Sequence, residues 1–97
     1  MQVEFANGVV IGATQVSEER KVYSEPKKWE LKIISDTDLS SDDLDVLLCR
    51  ENINKITHTL DNGSVATIKG YNKVEKVYKV SNAGGVSLII ILQKELV

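Results

Sequence analysis

Cysteine, histidine, proline and tryptophan each occur once in the 97 residues. A single cysteine excludes an internal disulfide, and one Cys with one His cannot supply the ligands of an ordinary zinc site. Long hydrophobic runs are missing too. The longest, residues 86–92, is interrupted by Ser87 and falls far short of the roughly 20 residues a membrane-spanning helix needs. Met1-Gln2-Val3-Glu4-Phe5 has no basic region leading into an apolar stretch. The expectation is therefore cytoplasmic synthesis, with which the free Cys49 is compatible. Nor does one sign of charge dominate: 12 basic against 14 acidic residues leave a net charge of −2. That balance argues against a dedicated nucleic-acid binder, which needs clustered Lys and Arg to neutralise phosphates.

The residues that remain do not assemble a reaction centre. His58 has no nucleophile or orienting partner that its sequence context places beside it. Cys49 is expected at a helix end, where backbone carbonyls disfavour a thiolate. Asp36-Thr37-Asp38-Leu39 lacks the glycine and the ligand spacing of a calcium loop. Gly84-Gly85 precedes a strand pattern and lacks the Lys and Ser/Thr of a phosphate loop. The expectations are no enzyme activity, no cofactor, no metal and no small-molecule substrate.

What the chain does have is β-branched residues: 12 Val, 9 Ile and 5 Thr against 4 Ala. Branching at Cβ stiffens the side chain and suits a pleated surface. With 42% hydrophobic and 27% charged residues, the length fits one globular domain spanning residues 1–97.

Strand signals recur along the chain. Val3 and Phe5 alternate with Gln2 and Glu4, and Asn7-Gly8 then fits a two-residue turn with positive φ at both positions. A long return strand over residues 9–23 follows, with Gly12 as a bulge or bend. The polar stretch 17–28 reads as a hairpin arm, with Ser24-Glu25-Pro26 in a loop or at an edge. From residue 28 to 35, Trp29, Leu31 and Ile33 share one face and Lys28, Glu30 and Lys32 the other. Ser40 then caps a helix over residues 40–51. Leu39 and Leu44 form its hydrophobic staple, and Leu44, Leu47 and Leu48 form its apolar stripe.

Residues 53–60 resume a strand and meet Asp61-Asn62-Gly63. A two-residue turn on Asn62-Gly63 pairs Leu60 with Val65 and sets Ile56 opposite Lys69; a three-residue loop pairs Leu60 with Ser64, Thr57 with Thr67 and Ile56 with Ile68, and is preferred because it matches Thr with Thr and Ile with Ile. Residues 73–80 read as a strand with Val74, Lys76, Tyr78 and Val80 on one face, or as a short helix. In residues 86–94 both faces are apolar, the pattern of a central strand or an interface. The predicted architecture is mainly β: about six strands in an antiparallel sheet rolled into a small barrel or sandwich, with one helix near residues 40–51.

Charge is patterned along the chain. Asp36, Asp38, Asp42, Asp43 and Asp45 form an acidic centre, and Lys69, Lys73, Lys76 and Lys79 a basic stretch. They are either two solvated faces or complementary patches meeting between subunits. Tyr71 and Tyr78 interleave with these lysines. Together with Trp29 and Arg20 they make up the expected interaction surface.

The Ile/Thr-rich strand, Asp61-Asn62-Gly63, Ala66-Thr67-Ile68-Lys69-Gly70-Tyr71, the Val-rich strand and the apolar last strand form a pattern over residues 53–94. It resembles small β-rich structural proteins from phages and prophages of Gram-positive bacteria. The resemblance implies a virion component at the tail, neck or tail-tube level, assembled into rings with its own copies or with other structural proteins. It brings no catalytic residues. The alternative is a small monomeric adaptor or ligand-binding module with Trp29, or Tyr71 and Tyr78, lining a groove.

Overall fold

The computed structural model describes residues 1–23, 25 and 27–95, so the loop or edge placement of Ser24 and Pro26 lies outside the described residues. The fold is mainly β, with eight strands and two short helices among the described residues in place of about six strands and one helix. In chain order these are β1 (Gln2–Glu4), β2 (Val10–Gly12), β3 (Gln15–Lys21), β4 (Lys28–Ser35), α1 (Ser41–Leu47), α2 (Arg50–Ile53), β5 (Lys55–Thr59), β6 (Val65–Lys69), β7 (Lys73–Asn82) and β8 (Gly85–Glu95). They form two antiparallel four-stranded sheets, ordered β2-β1-β5-β6 and β3-β4-β8-β7.

Two connections pass directly from one sheet to the other, and the first divides a strand expected to be continuous. Ala13 N–H donates to Met1 O at 2.9 Å, continuing the first sheet, while Thr14 N–H donates to Ile34 O at 2.8 Å in the second. The residues 9–23 expected as one strand thus serve both sheets as β2 and β3. Ser35 is fully buried at this corner, and its hydroxyl donates to Gly12 O. The same transfer recurs between β6 and β7. There Gly70 N–H donates to Asn54 O at 2.9 Å and Asn72 N–H to Gln93 O at 3.4 Å.

Both sheets turn one face to a shared core. Val3, Ile11 and Ile56 come from the first sheet; Leu31, Ile33, Leu88, Ile90 and Leu92 come from the second. Burial of this kind contributes on the order of 2 kcal/mol per large aliphatic side chain. β8 lies centrally between β4 and β7 and turns Leu88, Ile90 and Leu92 to the core.

The two Asn-Gly hairpins share one geometry. Leu60 and Ser64 flank a three-residue loop, with Gly63 at φ 87° and the Asn62 side chain accepting from Ser64 N–H at 2.9 Å. Phe5 and Val9 flank Ala6-Asn7-Gly8 in the same manner, with Gly8 at φ 89° and Asn7 Oδ1 accepting from Val9 N–H at 3.2 Å. The two-residue turn expected at Asn7-Gly8 is therefore corrected. Among the described residues only glycines have positive φ, and the Asn7 side chain closes the loop without entering that region.

The helix begins as its sequence implies, with Ser40 Oγ accepting from Asp43 N–H at 3.2 Å. It stops at Leu47 because Cys49 adopts an extended conformation and becomes the N-cap of α2. Asn52 supports the break, donating from Nδ2 to Val46 O at 2.6 Å and to Cys49 Sγ at 3.0 Å. The kink buries Leu47 and Leu48 and, after it, Ile53, which one straight helix through residue 51 leaves no room to do. It also moves Cys49 from the helix C-terminus expected for it to the start of the next helix.

Candidate interaction surface

Strand pairing assigns every side chain of the second sheet to a face. Leu31, Ile33, Leu88, Ile90 and Leu92 are buried, so their alternates point outward. One outward row runs Gln15, Ile34, Ile89, Tyr78; the next runs Ser17, Lys32, Ile91, Lys76. Ile34, Tyr78, Ile89 and Ile91 are therefore contiguous on a face no other element of the described chain covers. They are half-buried because flanking side chains in adjacent rows shade them. Val80 extends the strip at 40% exposure, and Lys76 Nζ sits 4.8 Å from the Tyr78 ring centroid, an exposed cation–π contact.

The pattern predicted for residues 73–80 is corrected by a bulge. β7 is a strand, and its register shifts between Val74 and Lys76, leaving Glu75 as the extra residue. Val74 pairs with Leu92 and Val77 with Ile90, both on the core side, while Lys76, Tyr78 and Val80 point outward. Without the bulge, strict alternation turns either Val74 or Val77 to solvent. Glu75 reaches Lys28 instead, Nζ to Oε1 at 2.9 Å. The hydrogen bond from that ammonium holds the Glu75 carboxyl below the usual glutamate range.

The expected surface residues separate on this frame. Lys73, Lys76 and Tyr78 lie on the outward side of β7. Lys69 is exposed on β6 opposite Lys55. Arg20 is exposed on β3 and pairs with the half-buried Trp29, which pairs in turn with Lys94. Tyr71 does not belong to any surface and is corrected to a core residue at 0% exposure. Its hydroxyl donates to Glu18 Oε2 at 2.7 Å, and Lys94 Nζ lies 4.7 Å from its ring centroid. Burial first, and the Glu18 carboxylate second, push its phenol well above the ordinary tyrosine value. Gly70 permits this stacking: at φ +91° a Cβ there meets Lys94 Cδ at 3.4 Å.

Lys79 lies inward of Tyr78 and pairs within the chain, Nζ to Asp38 Oδ1 at 2.8 Å and to Leu39 O at 2.7 Å. At this point the acidic and basic stretches meet inside one molecule, where the sequence left a meeting between subunits open. The contact ties the segment before α1 onto β7. Beside it, α1 and β7 enclose a groove of about 450 Å³, with Leu44 and Leu48 facing Val74 and Val77 and with Tyr78 and Lys79 at its rim. A second, polar groove of about 580 Å³ is bordered by Arg50, Lys73 and Lys94.

His58 is 9% exposed on the core side of β5, with Nε2 3.3 Å from Met1 Sδ. Among the described residues, no three His, Cys, Asp or Glu side chains gather as metal ligands, and no helix is long and apolar enough to cross a membrane. Comparison with family models, curated proteins and solved structures finds no match for the chain.

Proposed function

We propose that this protein is a non-catalytic assembly component that works through its β surfaces, as a small phage or prophage virion protein of the tail or neck does. In this reading the two sheets are the opposing walls of one small barrel or sandwich, with α1 and α2 against its open side. One observation carries the reading: the contiguous Ile34, Tyr78, Ile89 and Ile91 on the outward face of the second sheet. A solvated face of a stable monomer alternates to polar residues along each strand, whereas a contiguous apolar patch marks a contact surface. Its partners are then its own copies or other structural proteins.

Light scattering after gel filtration, over a range of concentrations, tests this. The expected result is a mass above that of the monomer, alone or with a protein from its genomic neighbourhood, and its loss in Ile89→Lys and Ile91→Lys. A strict monomer at high concentration that also ignores those neighbours overturns it. The second reading, a monomeric binding module, draws on the α1–β7 groove, where Tyr78 stands at the rim.

A further inference from the structure

We infer that the free edge of β7 accepts one more strand, an extended segment of another protein in which acidic and apolar residues alternate. This rests on the assembly reading and names the partner chemistry. β7 is the longest edge strand, ten residues paired only with β8, so the backbone groups on its far side, before and after the Glu75 bulge, stand ready for a ladder.

The two sides of that edge differ. Toward the core, Val74 and Val77 face Leu44 and Leu48 across the open groove, with Ser41, Asp45 and Lys79 also in its lining. Toward solvent stand Lys73 and Lys76, and among the described residues neither forms an ion pair. A strand laid beside β7 sends alternate side chains to opposite faces. Those beside the valines enter the groove and must be apolar; those beside the lysines are best acidic, since opposite charges directly across strands attract. Lys79 imposes no such demand, because Asp38 already neutralises it. That same ion pair fixes the approach to α1 and keeps the groove's far wall in place.

The edges of a second copy do not meet this description. β3 places Glu18 and Arg20 on its core side with Val16, which sets charges directly against Val74 and Val77. β6 places Lys69 and Val65 on its outer side, and β2 has only three residues. A second β7 sets lysines against lysines. The edge therefore selects against self-pairing as well as for an acidic strand.

The test uses the full chain and a capped synthetic peptide of alternating Glu and Val, about as long as β7. Controls are the matching Lys/Val peptide and a Glu/Val peptide of equal composition without alternation. Amide exchange measured by NMR reports the site. The expected result is protection of β7 amides by the alternating Glu/Val peptide alone, with binding that weakens as salt is raised. Charge reversal in K73E/K76E should weaken it about tenfold, circular dichroism confirming that the variant is folded. Absence of β7 protection at about millimolar peptide, equal binding of the Lys/Val peptide, or protection mapping to β3 or β6 overturns the inference. So does protection of β7 that rises with protein concentration without peptide, a result that leaves the assembly reading standing. Peptide binding by a chain that scatters as a monomer has the opposite meaning.

Discussion

Ile89 and Ile90 are chemically identical neighbours on β8 whose environments differ as much as adjacent positions can. Ile90 is fully buried and pairs on its face with Ile33 and Val77; Ile89 points outward beside Ile34 and Tyr78. Truncating Ile90 to Ala removes three buried carbons and leaves a void in a core bounded by two sheets, at a cost of about 3–4 kcal/mol. Truncating Ile89 removes carbons already half in water, for about 1 kcal/mol. A domain of this length is stable by about 5–10 kcal/mol, so the first change consumes a large part of it and the second does not. Urea unfolding, followed by Trp29 fluorescence at low protein concentration, reads the difference. With an m-value of about 1–1.5 kcal/mol/M, the midpoint should fall by about 2–4 M for Ile90→Ala and by no more than about 1 M for Ile89→Ala. Repetition at high protein concentration should raise the wild-type midpoint and leave that of Ile89→Ala nearly unchanged, because a contact made only by the native state adds stability by mass action. Equal losses for the two variants refute the assignment of faces. A concentration-independent wild type removes the support for an outward contact surface.

Tyr71 gives a test in alkali. A phenol held protonated by burial stabilises the fold fully below the unfolded value of about 10, and that stability is lost as pH rises beyond it, since the unfolded chain gives up the proton first. Phenolate absorbance should show one tyrosine ionising only as the protein unfolds. Tyr71→Phe should abolish that late phase and cost about 1 kcal/mol for the lost bond to Glu18; simple early titration of all tyrosines contradicts the burial. Backbone conformation separates two glycines by thermal melting. Gly63→Ala should destabilise by about 1 kcal/mol because of its positive φ. Gly12→Ala, with ordinary φ and its nearest neighbour Asp36 Oδ1 at 3.6 Å, should be neutral or slightly stabilising.

Local features were legible where two independent signals agreed. Leu60-Asp61-Asn62-Gly63-Ser64 offered both a turn doublet and a register that matched Ile56 with Ile68, and the structure has that register. Asn7-Gly8 offered only the doublet, which suits two turn types, although Asn7-Gly8 after Phe5 stands in the same positions as Asn62-Gly63 after Leu60. Lys28–Ser35 was readable because its alternation is unbroken. β7 was not, because a bulge advances the phase without leaving a mark in residue type. Tyr71 misled because its near neighbours are Lys69, Gly70 and Lys73. Its true setting is made by Glu18 and Lys94, which are remote in sequence. The division of one strand between two sheets was equally hidden, since alternation continues through Ala13 and Thr14. At the candidate surface, the lysines on β7 were visible as a run, but which of them are already paired depended on Asp38 and so on the fold.

The transfers at residues 13–14 and 70–72 bear on how the molecule comes apart. Each sheet has as its border strand a segment whose continuation borders the other sheet. Fraying of the first sheet at either border pulls directly on the second through two or three residues of taut chain. Neither sheet has an independent unit of stability to retreat to. Opening events that expose the interior should therefore be global, with amides of β1 and β8 exchanging at similar free energies despite lying in different sheets. That coupling makes the unit yield as a whole or not at all.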